Sequence, residues 1–266
     1  MIDVVILTMS KKGSASVQLA ELVKSKKIKV RAVIFSQGII GDKKKYYRKK
    51  LRKIFKIGLL GSLNGVRMRK WYSHGVSNYL KLESIESICD QNNIPLKVTT
   101  TINSPTTIEY LKKTNADVGL SLGNGYIKKE VFSIPKFGMI NIHHEELPAY
   151  KNAQSIIWQI YNNSNRTGYT IHKIDTNIDS GEILFKEMIP ITIKKDLKNT
   201  VSFNYARLWE KSSIGLIRVL ENFEIYFDNR NKQERGASYT TPSFRQYLRI
   251  VRNFRKMKKE SDCQDR

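Results

Sequence analysis

The chain has 266 residues, and 47 Lys plus Arg against 24 Asp plus Glu give a formal net charge of +23 at pH 7. With 40% apolar and 27% charged residues, mean hydropathy is −0.43, and no stretch approaches the roughly 20 apolar residues that cross a bilayer. Only two cysteines occur, Cys89 and Cys263, too far apart for a disulfide framework or metal-ligand spacing, so a metal centre is not expected and a reducing compartment is.

The first ten residues, MIDVVILTMS, carry Asp3 and no basic leader, and so read as a strand and not as an export signal. A cytoplasmic protein is expected. VVILTMS (4–10) and VRAVIFS (30–36) are short β-branched runs, and between them Val17, Leu19, Ala20, Leu22 and Val23 recur at helical spacing, which predicts β-α-β. Ser10 to Ser14 follow the first strand and open the helix; their amides could hold a phosphate, but Ser14 or Ser16 as a helix cap is the favoured reading.

Residues 41–81 interrupt the alternation with 13 basic residues against one acid, Asp42. Tyr47, Leu51, Ile54 and Phe55 fall on one helical face among lysines and arginines, a basic amphipathic helix. Three readings compete: a solvated helix covering the sheet edge, a membrane-surface attachment near the inner face, and a phosphate or RNA contact surface.

Beyond the insertion come a strand at 96–100, a helix capped by Ser104 with Pro105 as first residue, a strand at 117–123, a short helix near 128–133 and a strand at 138–144. QSIIWQIYN then predicts a helix, TGYTIHKI and EILFKEMIPI two longer strands, and 197–223 a long helix. This alternation predicts an α/β fold with a doubly wound, mostly parallel, Rossmann-like sheet over residues 1–225. Residues 226–266 read as a basic appendage, amphipathic through FRQYLRIVRNFRKMKK to about 259 and then polar, and partly disordered.

Four histidines are present, His74, His143, His144 and His172. Asn141 and His143 are two residues apart at the end of a buried strand, so both face one side, at the sheet edge where open parallel sheets bind ligands. Downstream, Asp179 precedes Ser180 and Gly181, turn residues that let backbone approach a ligand. His144 should point to the opposite face and is read as structural; His172 could support the site from behind or equally lie at the surface; His74 has no assigned role. Gly123-Asn124-Gly125 does not complete a dinucleotide fingerprint, and NAD is rejected.

Asn141-Ile142-His143, Leu147-Pro148, Gly168-Tyr169-Thr170-Ile171-His172 and Ile178-Asp179-Ser180-Gly181, in this order and spacing, resemble the folate-dependent formyltransferase family. The resemblance covers residues 85–195 well and the basic segments hardly at all. It implies an enzyme that moves a formyl group from 10-formyltetrahydrofolate to an amine, with Asn141, His143 and Asp179 as the catalytic group and no metal. The histidine and the amide would meet the oxyanion that forms on the formyl group, and the aspartate would charge the histidine and take up the amine's proton. It also implies a folate site between Ser121, Leu122, Gly123, Asn124, Gly125, Tyr126 and Ile127 on one side and Asp175, Thr176, Asn177, Ile178 and Asp179 on the other.

Departures from the family bear on the acceptor. His143-His144-Glu145-Glu146 makes an acidic loop, so Glu145 or Glu146 is a candidate for an acceptor's ammonium or hydroxyls, with solvated loop carboxylates as the equal alternative; Lys151 stands where an arginine is usual, and Trp158 resembles the aromatic helix of sugar formyltransferases. A nucleotide-linked amino sugar is the acceptor this favours, as in surface polysaccharide biosynthesis. Methionyl-tRNA is the alternative, although only residues 224–266 remain for the C-terminal barrel of those enzymes. A non-catalytic RNA-binding or membrane-associated relative is a third reading.

Overall fold

The computed structural model describes residues 1–39 and 42–264. Gly41, the first residue of the predicted insertion, and Asp265 and Arg266, the last two of the tail, therefore lie outside the described residues. In chain order the elements are β1 (Ile2–Thr8), α1 (Ser14–Leu22), β2 (Ile28–Ser36), α2 (Lys43–Ile57), α3 (Leu59–Tyr72), a short 3-10 turn (Val76–Asn78), α4 (Ile85–Gln91), β3 (Leu96–Thr99), α5 (Pro105–Thr114) and β4 (Val118–Leu122). There follow α6 (Lys129–Phe132), β5 (Met139–His143), α7 (Ile157–Tyr161), β6 (Arg166–Lys173), β7 (Ile183–Pro190), α8 (Leu197–Glu221), α9 (Phe223–Asp228) and α10 (Phe244–Gln264).

The strands form one seven-stranded sheet in the order β3-β2-β1-β4-β5-β6-β7, parallel from β3 to β5 and antiparallel from β5 to β7. Both faces are covered, as a parallel sheet requires. Period-two alternation in β1 sends Val4 and Ile6 into the larger core beneath α1 and α8, and Val5 and Leu7 into the smaller core with Leu111 and Val131. Strand order reverses between β1 and β4, which opens a crevice beyond their carboxyl ends.

Local signals explain several boundaries. Ser104 accepts the Thr107 amide to start α5, and Asn115 in the left-handed region ends it. At α1 the cap is the Ser16 hydroxyl, which takes the Gly13 amide at 3.2 Å, in keeping with the capping reading. The helix predicted from Gln154 starts only at Ile157, because Ile156 adopts φ 71, which a helix does not accept.

The partial disorder expected of the tail gives way to α10. Its Ile250 and Phe254 are buried in the main core, and Asn253 Nδ2 donates to the carbonyls of Ile160 and Tyr161 at the end of α7. The segment before it runs beside residue 151, with Lys151 N donating to Ala237 O and Tyr239 N to Lys151 O.

Candidate active site

A cavity of about 570 Å³ lies over the carboxyl ends of β4 and β5 and is lined by Asn141, His143 and Asp179 together. His143 Nε2 donates to the Tyr150 carbonyl at 2.9 Å, while its Nδ1 stands 3.6 Å from Asp179 Oδ2. Because Nε2 holds a proton for that carbonyl, protonating Nδ1 turns a contact between two acceptors into an ion pair. Asp179 is held at φ 51, and its Oδ2 accepts the Asn152 amide at 2.9 Å. A non-glycine residue in the left-handed region is a strained arrangement of the kind that collects at functional sites.

His172 sits behind this trio and is 2% exposed. Its Nδ1 donates to the Lys173 carbonyl at 2.8 Å, which leaves Nε2 free to accept from Asn141 Nδ2 at 3.2 Å. Burial pushes its pKa down to about 4, against the pull of Asp179, so the ring is neutral at neutral pH and orients the Asn141 amide. One Asn141 N–H is thereby occupied and the other remains for a ligand.

The two predicted folate loops form opposing walls. Ser121, Gly123, Asn124, Gly125, Tyr126 and Ile127 line the cavity on one side, and Asp175, Asn177 and Ile178 on the other. Two residues predicted with them do not: Leu122 alternates into the sheet core, and Thr176 faces an adjoining cleft, where its carbonyl accepts from Tyr126 Oη at 3.3 Å. A Cβ at Gly123 or Gly125 would meet nothing within 4 Å, and Gly123 has φ 75. Asn124 Nδ2 is spent on Leu7 O and Ser121 Oγ, whereas its buried Oδ1 has no partner. Open backbone beside an orphaned acceptor fits a flat ring with N–H donors on its edge, and the pterin of a folate has that edge.

The four predicted acceptor residues lie elsewhere. Glu145 is fully buried: Oε1 accepts the Ile156 amide at 3.0 Å and Oε2 the Gln159 side chain, and burial raises its pKa well above the usual range. Its place is structural because it holds the strained Ile156. Glu146 pairs with Lys186 at 3.6 Å, Lys151 is engaged through its backbone, and Trp158 is buried with Nε1 donating to Thr240 O. None of the four lines the cavity. The remaining wall includes Lys53, Asn152, Gln154, Tyr205 and Thr240, which sequence reasoning did not assign to a site, and Ser14, which it weighed as part of a phosphate-holding segment but favoured as a helix cap. Desolvation and then Arg69 lower the pKa of Lys53.

His144 reaches the cavity lining, but its Nε2 lies 3.2 Å from Ser212 Oγ and burial pushes its pKa down to about 3. His74 is exposed beside Ser73. Among the described residues no group of three or more His, Cys, Asp and Glu is placed to hold a metal ion.

The buried histidines set an expected pH dependence of stability. In the unfolded chain His144 and His172 bind protons below about pH 6.5, and the native state refuses them until about 3 and about 4, so stability is full above pH 6.5 and falls as pH drops below it. Glu145 acts oppositely, since its raised pKa favours the native state at low pH and that contribution fades as pH rises. Thermal melts between about pH 7 and about pH 5 should show a falling Tm, less steep by about one linked proton in His172→Asn. A Tm that stays flat or rises on acidification would contradict neutral buried rings.

A switch-point cavity over an open α/β sheet, holding an amide, an imidazole and a carboxylate, defines a group-transfer type of site. The chain belongs to the formyl transferase family, whose model matches residues 4–220. It is 32% identical over 116 residues to the methionyl-tRNA formyltransferase of Citrifermentans bemidjiense, covering 43% of this chain and 36% of that one. With the methionyl-tRNA formyltransferase of Clostridium perfringens it is 30% identical over 165 residues, 60% of this chain and 52% of the relative. The matches thus span about a third to a half of those relatives. Among solved structures it is similar to an N-formyltransferase from Helicobacter canadensis in complex with folinic acid and dTDP-3-aminofucose: TM-score 0.55, 20% identity, 96% of this chain and 81% of that one. A sugar N-formyltransferase from Shewanella sp. gives TM-score 0.55 and 16% identity over 95% and 88%. These likenesses establish the fold.

Proposed function

We propose that this protein transfers a formyl group from 10-formyltetrahydrofolate to the primary amine of a nucleotide-linked amino sugar. The observation that carries the reading is the convergence of Asn141, His143 and Asp179 on one cavity whose walls are the two backbone-rich loops. The folate would lie between those loops, with Asn124 Oδ1 and the open backbone at Gly123 and Gly125 against its pterin, and would supply the formyl carbon. The free Asn141 N–H donates to the formyl oxygen as it gains charge, and the protonated His143 ring, its two N–H groups held by the Tyr150 carbonyl and Asp179, sets its positive charge beside that oxygen. Asp179, fixed by the Asn152 amide, stabilises that charged ring and receives the amine's proton directly or through a water. Catalytic groups placed in this way also weigh against a non-catalytic relative.

For the acceptor, Lys53 and Ser14 give the cavity a cationic and a hydroxyl wall suited to a diphosphate, and the solved neighbour bound to a dTDP amino sugar is similar over almost the whole chain. The second reading, methionyl-tRNA, draws on the relatives found by sequence and on the net charge of +23. Incubating the protein with 10-formyltetrahydrofolate and either a panel of aminodeoxy nucleotide sugars or methionyl-tRNA, with products read by mass spectrometry, separates the two. Formylation of at least one sugar nucleotide is expected, with a shallow salt dependence. Turnover of methionyl-tRNA alone, its log affinity falling by roughly 0.7 to 0.9 per log unit of salt for each phosphate engaged, would replace the sugar reading.

A further inference from the structure

The insertion after β2 has two distinct sides. On α3, Gly61, Gly65, Met68 and Trp71 recur at spacings of four and three and face inward, with Gly61 against the backbone of Pro242, Ser243 and Phe244. The opposite side of the same helix presents Leu59, Leu60, Leu63 and Val66, each more than half exposed. On α2 the outward set is Tyr47, Leu51, Ile54 and Phe55. Phe55 is 85% and Leu59 68% exposed, and they stand on either side of Gly58, the joint between the helices. Monomeric proteins rarely leave so many neighbouring large apolar side chains in water without a partner.

The charge around this apolar ridge is overwhelmingly positive, with Asp42 ahead of α2 as the one acid of the segment. From Lys43 to Ile57 α2 contains no acid, and Arg48, Lys49, Lys50, Arg52 and Lys56 are exposed along it. Arg67, Arg69 and Lys70 extend the cationic field along α3. No helix among the described residues is long and apolar enough to cross a membrane. Basic amphipathic helices with aromatic and aliphatic side chains on the apolar face lie in the plane of an anionic interface, ridge down and cations at headgroup level.

We propose that the α2–α3 hairpin docks this protein peripherally on an anionic lipid surface. The composition of the ridge selects this occupant. A nucleic acid would use the cations and the tyrosines, but Leu51, Ile54, Leu59, Leu60 and Leu63 offer no flat face for a base and would stay in water. A second copy of the same face would set an acid-free cationic helix against its twin. A lipid surface takes up both parts, the apolar ridge into the acyl boundary and the cations among the phosphates. Lys53 of α2 lines the catalytic cavity, so the hairpin that docks also carries part of the cavity wall. The inference stands on the hairpin alone and is independent of which acceptor is used.

The test is co-sedimentation of the full chain with vesicles of phosphatidylcholine alone or with about one-third phosphatidylglycerol. Partitioning onto the anionic vesicles is expected, weaker at high salt, and at least about tenfold weaker for the triple variant Phe55→Ser, Leu59→Ser, Leu60→Ser. The variant Lys49→Gln, Lys50→Gln, Arg52→Gln is expected to lose a similar factor. All six positions are exposed, so circular dichroism and Tm should match the parent. Failure to bind anionic vesicles would overturn the proposal, as would unchanged vesicle binding by the apolar triple variant. Bulk tRNA bound tightly by protein that ignores vesicles would reassign the face to nucleic acid, and a dimer abolished by the apolar triple variant would reassign it to a second copy.

Discussion

His143→Asn and Asp179→Asn are each expected to lower kcat by at least about 10²-fold while folate binding stays within a few-fold of the parent, because each removes stabilisation that is largest when charge develops on the formyl oxygen. The geometry distinguishes the two losses. In His143→Asn the donor to the Tyr150 carbonyl and the group that Asp179 would charge disappear together. Asp179→Asn keeps a side-chain oxygen for the Asn152 amide, so the loop stays in place and only the negative charge is lost. Its defect should therefore lie in kcat, with KM for folate little changed. Single-turnover formylation alongside fluorescence titration of folate checks both. Near-normal turnover in either variant with the fold intact would remove Asn141, His143 and Asp179 from the chemistry.

The parts of this site that the sequence made legible are those written in side-chain periodicity. Asn141 and His143 share a face because strands alternate, and β1 and β2 showed as β-branched runs because both sheet faces bury them. The start of α5 was legible because Ser104 and Pro105 act on their own neighbourhood. What was not legible depends on backbone groups and distant chain. The Tyr150 carbonyl and the Asn152 amide that hold His143 and Asp179 carry no residue code. Thr240 reaches the cavity from more than sixty residues beyond Asp179, and nothing local marks it. Glu145 misled because an acid in a polar stretch looks the same whether it meets solvent or, as here, lies fully buried against Ile156 and Gln159. Helix α10 misled for a similar reason: a basic amphipathic pattern does not say whether its apolar stripe is packed, and here Ile250 and Phe254 complete the main core.

Gly181→Ala is expected to cost both stability and activity, and the reason is space, since this glycine has no positive φ. An added Cβ would overlap the carbonyl oxygen of Lys173, which is backbone and cannot swing aside as a side chain could. That carbonyl also accepts from His172 Nδ1, and the Lys173 amide donates to Glu182 O, so moving it disturbs the end of β6 and the ring that orients Asn141. If the loop yields instead, Asp179 moves, two residues away. Overpacking of this kind costs roughly 1–3 kcal/mol, and displacing a reacting group by about 1 Å costs about 10² in rate. Gly125→Ala is the contrast, because its Cβ would meet nothing within 4 Å inside the protein while narrowing the folate wall. Its Tm should match the parent, and its KM for folate should rise with kcat less affected. Parent-like Tm and turnover in Gly181→Ala would mean that the 175–181 loop shifts without consequence, and that the position of Asp179 beside His143 does not matter to the reaction.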